Sequence, residues 1–485
     1  MKKLIFLLGP VLMLFLYACS MEEEISPDPD ADAMLKKAPV PVNVFTVCPG
    51  GGDDTEALIA AFDDAKAAGP GATVKLTEGE FHIGFVTVED FEGSFTGAGM
   101  GKTIILPLPV LPWEDLYAQN LAWELIKFLR GNMQISNMSF RNLEGDPCPG
   151  YDLWGFLGLH DYAYTELPGL DEGHQLTAMV DHVEFVSHPD PVFSGWSPYT
   201  VQCGIGIGPD YFSALDIPHC ANSVTVTNCS FSEMTMAVSC GNNEQGRTVF
   251  SNNKPVETDD GLWIGDNIGG SCLVSGNEFH SDKPWGQGVW INDALFNNAE
   301  FKLSDGCQYE ISGNVFHLEG EAILAVCIED NRKALGIIDN ENPLQVLIKS
   351  NLFDLQANTW VGIWNWMTDD VVIRNNKFTG QAGTGIYVDP TTTNSLMLGN
   401  NFSSLVCSQV IDWLPGSGEG YNILLFGNDN TVVGGGNNST TVLNLGDNNV
   451  ITGAKFENEG ELPPGQTITD NLRSWRESRV NLHAH

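Results

Sequence analysis

The chain has 485 residues, with 62 acidic against 23 basic side chains and a formal charge of −39 at pH 7. A surface this acidic repels phosphate backbones and anionic lipid, which excludes nucleic acid as a partner. It also tells against a strongly anionic polymer as ligand, unless bound cations or a local basic patch intervene.

Residues 1–18 open with Lys2 and Lys3, continue as an apolar run and end in small residues before Cys19. That order reads as a secretory signal, too short to stay in a bilayer as a spanning helix. The cysteine at the cleavage point resembles the lipobox of bacterial lipoproteins. The resemblance implies lipidation of Cys19 and an outer-membrane lipoprotein, exposed at the cell surface or facing the periplasm. Glu22, Glu23 and Glu24 resemble the acidic tag of surface-directed lipoproteins, and read equally well as the start of a solvated linker. Residues 19–44, rich in Pro, Asp and Ala and without periodicity, form a tether. Residues 45–460 carry the repeat described next, and 461–485 form a closing segment and frayed tail.

Residues 51–69 place Leu58, Ile59 and Phe62 on one helical face, with Asp53, Asp54 or Thr55 as N-cap and Gly69 as the stop. Short alternating strands follow: ATVKL, FHIGFVTV, GSFTGAG and KTIIL. Further on, Asn277, Asn314, Asn351, Asn376 and Asn400 each stand two residues before a Phe. Asn253-Lys-Pro255 is a weaker copy, Phe140, Phe185 and Phe231 are earlier variants, and Phe426 is a later one. The steps 231 to 255 to 279 and 378 to 402 to 426 are each 24 residues, a period of stacked repeats. Steps of 45, 46 and 37 residues read as skipped coils or inserted loops. Asn suits the bend because it tolerates left-handed backbone and hydrogen-bonds locally. The following Phe is expected inside, packed on the Phe of the next coil. Several of the 11 cysteines, among them Cys229 and Cys240, fall in apolar strand positions and read as buried core thiols; no CxxC pair supports a zinc ribbon.

GDDT before the amphipathic helix, then ATVKLTEGEFHI and FTGAGMGKTII, closely resemble the start of the pectin-lyase-like right-handed parallel β-helix superfamily. The resemblance implies an all-β, three-sheet solenoid with an N-terminal capping helix that shields the open sheet end. It extends over nearly all of the mature chain as fold and matches no specific enzyme family. The WIDH and RxPxxR phrases of pectate lyases and the NTD, GHG and RIK set of polygalacturonases are missing.

Between residues 261 and 389 one phrase recurs after the Asn turns: GLWIGD, GVWIND, AVCIED, GIWNWM and GIYVDP. With Leu262, Val289, Val326, Ile363 and Ile386 inward, strand alternation sends Trp263, Trp290, Cys327, Trp364 and Tyr387 outward. By resemblance, this phrase is the strand along which polysaccharide lyases and hydrolases of the superfamily hold substrate. Flat apolar rings suit a sugar face, so Trp263, Trp290, Trp364 and Tyr387 are candidate substrate-binding residues. The other reading is an aromatic ladder roofed by a loop. Asp266, Asp293 and Asp330 stand at the strand ends, with Glu329 beside them. A coil rise of about 4.8 Å puts Asp266 and Asp293 near the ~5–5.5 Å of a retaining glycosidase pair, and Asp266 and Asp330 toward the inverting range. The same oxygens suit Ca²⁺, with Asp266, Asp293, Asp330 and Glu329 as ligands, or simple turn capping.

A lyase needs a base and a cation to neutralise a uronate carboxylate, and Lys283, Arg332 and Lys333 are the basic residues close to this face. Asp266, Asp293, Asp330, Lys283 and Arg332 are therefore the candidate catalytic set. Residues 144–211 hold His160, His174, His182 and His188 without metal-binding spacing, and read as polar insertions that wall a groove. The expectation is a monomeric cell-surface lipoprotein that binds a polysaccharide and cleaves it as hydrolase or lyase. The alternative is a non-catalytic carbohydrate-binding or adhesive β-helix.

Overall fold

The computed structural model describes residues 43–108, 124–142, 155–160, 175–187, 203–208, 221–241, 246–265, 270–283, 286–293, 308–320, 322–330, 345–434 and 440–458. The leader with Cys19, nearly all of the tether, Asp266, Arg332 and the tail lie outside them.

Strand pairs with strand one turn later, always in parallel, and the pairings resolve into three stacks. The first climbs through Arg247–Ser251, Ser271–Ser275, Gln308–Ser312 and Gln345–Lys349. The second contains Glu278–Ser281, Val315–Leu318 and the opening residues of Leu352–Trp366 and Lys377–Val388. The third contains Asp260–Gly265, Gln287–Asp293, Leu324–Asp330 and the closing residues of those two long strands. This is a right-handed parallel β-helix, as the resemblance implied.

The Asn turns meet the cost of bending a buried backbone. Asn277, Asn314, Asn351, Asn376 and Asn400 are all under 5% exposed. The backbone N–H of each of the first four donates to the side-chain oxygen of the next Asn up the stack: Asn277 to Asn314 and Asn314 to Asn351 at 2.9 Å, then Asn351 to Asn376 and Asn376 to Asn400 at 3.0 Å. Each side-chain amide in turn donates to the strand below, as Asn314 does to the Val274 carbonyl at 2.9 Å. Buried polar groups at the corner are thereby satisfied coil by coil. The left-handed residue is not the ladder Asn, as expected, but the one before it: Asn252, Gly276, Gly313, Ser350, Asn375 and Gly399 have φ between 55° and 66°.

Two residues on, the rings stack inside. Phe279, Phe316, Phe353, Phe378 and Phe402 follow one another at centroid separations of 4.6 to 5.0 Å, each pair within 19° of parallel. Phe140, Phe185 and Phe231 make an earlier run of the same ladder. Where Pro255 interrupts it, Phe250 of the first stack spans the gap, 5.9 Å from Phe231 and 6.2 Å from Phe279. Phe426 keeps the 24-residue spacing but does not join: it follows the strand Ile423–Leu425 of the third stack and packs edge-on against Tyr387.

The helix α1 (Thr55–Ala68) buries Leu58, Ala61, Phe62 and Ala65. Phe62 sits 5.2 Å from both Phe91 and Phe95 and 5.6 Å from Phe128. It plugs the first coils, and Ile59 packs at the margin of that contact. Six of the seven described free cysteines are buried. Burial pushes the Cys229 thiol up to about 12 and Cys240 and Cys407 to about 11, so these thiols are inert packing groups. No helix among the described residues is long and apolar enough to cross a membrane.

Candidate functional site

The register of the third stack lines up one outward residue per coil. In order these are Lys127, Gly158, Gly206, Ser239, Trp263, Trp290, Cys327, Trp364, Tyr387 and Leu424. The column changes character along its length: charged and glycine-rich in its early coils, aromatic and apolar in its later ones.

The aromatic part points away from the core, as alternation requires, but it does not face solvent. Trp263 and Trp290 are 7% and 4% exposed, Trp364 and Tyr387 1% and 0%. The segment 408–421 closes over the later coils. Trp413 lies 5.3 Å from Trp364 at 23°, and Ile411 and Leu414 are buried in the same apolar cluster. Trp366 stacks on Trp364 from the neighbouring outward position, at 5.6 Å. Burial, and next the Asp389 carboxylate, push the Tyr387 phenol well above its ordinary range. The expected open stacking platform is thus corrected to a second apolar core under a roof.

The strand-end acids fall into two groups. Asp293 and Asp330 share a rung, and Asp330 is buried. Glu329 shares its rung with Trp366, on the aromatic face; Asp330, the next residue along, alternates away from it. Asp266 lies outside the described residues. Lys283 precedes the strand that Asp293 ends, so about 20 Å of extended chain lies between them. It is held instead by Glu233 at 3.5 Å and Glu257 at 4.0 Å. The Glu257 carboxyl is raised, first by its hydrogen bond with Glu233, then by burial and the charges of Glu233 and Asp282. Lys283 therefore belongs to an acidic corner, not to a centre with Asp293 and Asp330.

The early coils hold what the sequence did not disclose. Glu124, Lys127 and His160 come together, 2%, 2% and 3% exposed. Lys127 Nζ lies 3.4 Å from Glu124 Oε2, and His160 Nε2 lies 3.1 Å from Glu124 Oε1. His160 Nδ1 meets the Gly208 carbonyl, which can only accept. With a carboxylate at Nε2 as well, both ring nitrogens are asked to donate, so an ionised Glu124 holds His160 as imidazolium. Burial drives the Glu124 carboxyl upward, but the charges and hydrogen bonds of Lys127 and His160 outweigh it and hold it at about 2. Gly158 makes the approach possible: a Cβ there would stand 2.6 Å from His160 Nε2 and 3.0 Å from Glu124 Cδ. Cys203, two rungs on from Glu124, closes one side, its thiol raised mainly by burial. Buried charge is costly to assemble, and such clusters concentrate where chemistry is done. The signal available in the sequence was positional, ELIK at 124–127 and GFLGLH at 155–160 occupying the same phrase position in consecutive coils.

No protein-family model matches the chain, and no curated protein does. Solved structures resemble it in fold. The A-module of a mannuronan C-5 epimerase from Azotobacter vinelandii aligns at 17% identity over 85% of this chain and 95% of that one, with a TM-score of 0.42. The catalytic domain of a GH87 alpha-1,3-glucanase aligns at 13% identity over 88% and 68%, with a TM-score of 0.41. PfbA, a surface adhesin of Streptococcus pneumoniae, aligns at 14% over 75% and 91%, again at 0.41. The strand register carries the conclusion without them: the chain has the right-handed parallel β-helix fold.

Proposed function

We propose that this chain handles a polysaccharide on the outward face of its third strand stack, at the early coils rather than along the aromatic column. The observation that carries the reading is the buried Glu124–Lys127–His160 cluster set over Gly158. Lys127 and His160 supply the local positive charge that an overall acidic chain needs to accept a uronate. One carboxylate beside two cations departs from the paired carboxylates of a glycosidase and suits proton abstraction beside a carboxylate, a lyase-type step. In that reading Lys127 neutralises the sugar carboxylate. Glu124, held ionised between Lys127 and His160, is the acceptor for the abstracted proton, and His160 orients it.

The reading includes export as an outer-membrane lipoprotein anchored at Cys19; fatty-acid labelling that persists in Cys19→Ser would remove the anchor. It also keeps Asp293 and Asp330 as two oxygen donors for Ca²⁺, short of the six to eight that ion takes. The decisive experiment is a screen of neutral and uronate glycans, with and without Ca²⁺, followed by product mass analysis. Cleavage by the wild type and its loss in Lys127→Met and His160→Gln, with melting temperatures reported for each, supports the reading. Cleavage that survives both substitutions refutes it. The sealed aromatic column favours a second reading, a non-catalytic binding or adhesive β-helix, for which the same screen returns binding or silence without products.

A further inference from the structure

On the second stack, far from the cluster just described in chain order, consecutive rungs carry like groups outward. His280 and His317 are register partners, their rings 4.8 Å apart. Glu278 stands two residues before His280, hence on the same face. One ligand atom from each of Glu278, His280 and His317 can be chosen so that all three lie within 4.8 Å of one another, and all three residues are half-buried. Tetrahedral bonds of 2.0–2.1 Å need ligand atoms about 3.4 Å apart, a difference that small side-chain rotations close.

A further contact orients the group. His317 Nδ1 donates to Asp354 Oδ2 at 3.0 Å, from the next rung of the same column. Asp354 is itself held, its other oxygen accepting from Thr379 Oγ1 at 3.1 Å. That bond fixes the tautomer of His317 and leaves Nε2 with its lone pair, the arrangement in which a carboxylate backs a metal-bound histidine. Among the described residues no hydrogen bond or ion pair engages the His280 ring, whose contact is with His317. Glu278 pairs with Lys254 at 3.3 Å through Oε1, a surface pair with both partners about half exposed and weakly held.

We propose that Glu278, His280 and His317 form a site for a divalent transition metal of the Zn²⁺ type, with Asp354 as the positioning residue and a fourth position open to water or an outside ligand. Two imidazoles and one carboxylate select Zn²⁺, Ni²⁺ or Cu²⁺ over Ca²⁺ and Mg²⁺, which take oxygen donors. The bound ion would join two consecutive coils across their outer wall. The site is independent of the glycan reading and shares no residue with it.

The test is calorimetric titration of the chelator-stripped full-length protein with ZnCl₂, and with CaCl₂ as control. Binding of one Zn²⁺, abolished in His280→Ala and in His317→Ala, is the expected result, and any heat from Ca²⁺ should be the same in wild type and in both histidine variants. Asp354→Asn should weaken Zn²⁺ roughly 10- to 100-fold, since it leaves the ligands in place and removes their support. Lys254→Ala should bind Zn²⁺ at least as well as wild type, because it frees Glu278, and Glu278→Gln should bind more weakly. Circular dichroism confirms that each variant keeps its strands. No heat from Zn²⁺, or heat unchanged in both histidine variants, as tail histidines His483 and His485 would give, overturns the proposal.

Discussion

Replacing Trp364 with Ala separates a roofed aromatic column from an open one. The side chain is 1% exposed and in ring contact with Trp366 at 5.6 Å, Trp413 at 5.3 Å and Tyr387 at 5.5 Å. Truncating a buried Trp costs about 3–5 kcal/mol, because transfer energy is lost and the cavity closes only in part. A unit of this size has an unfolding entropy of roughly 0.9 kcal/mol/K at about 2.1 cal/mol/K per residue, so Tm should fall by about 3–6 °C. Scanning calorimetry reads that shift directly. A companion Trp413→Ala and the double variant complete a cycle. Because the two rings share one contact, the double variant should lose less than the two singles added together. A Tm for Trp364→Ala within about 1 °C of wild type, as expected of a surface change, would refute the roof.

Asn314→Ala should destabilise the chain by about 3 kcal/mol or more in a urea titration. It removes the oxygen that accepts from the Asn277 backbone and amide, and the amide that serves Val274 and Asn351. The Glu124 cluster should leave a pH signature. Its carboxyl lies at about 2 in the folded chain against an ordinary 4.5. A depressed folded value contributes stability that is complete above pH 4.5 and is lost as pH falls through 2, worth about 3 kcal/mol across the window. The stability difference between wild type and Glu124→Gln should therefore shrink as pH falls from 4.5 to 2; a constant difference would show that Glu124 is not held ionised.

The fold was legible because the solenoid repeats its own reasons. An Asn that must satisfy a buried corner and a Phe that must meet the next Phe recur through most of the coils, and the register bears both out. Phe426 was misread because a spacing of 24 residues says nothing about which stack a residue belongs to once the coils change length. The site was harder to read for two physical reasons. Alternation gives the direction of Trp364 but not its cover, and that cover comes from 408–421, a stretch without strand periodicity. Glu124, Lys127 and His160 are ordinary in sequence; they become a cluster only when the next coil brings His160 back onto the rung beside Leu129.

The Asn ladder also acts as a gauge that is blind to coil length. The bond from Asn277 to Asn314 closes a coil of 37 residues at 2.9 Å, and that from Asn376 to Asn400 closes one of 24 at 3.0 Å. What the ladder fixes is the height gained per turn, whatever path the chain takes around the rest of the circuit. Extra residues can be spliced in between rungs, and loops of new shape exchanged, without shifting the pitch of the coils above or below. A scaffold metered in this way lets its outer walls diverge in sequence and chemistry while the axis they hang from stays the same.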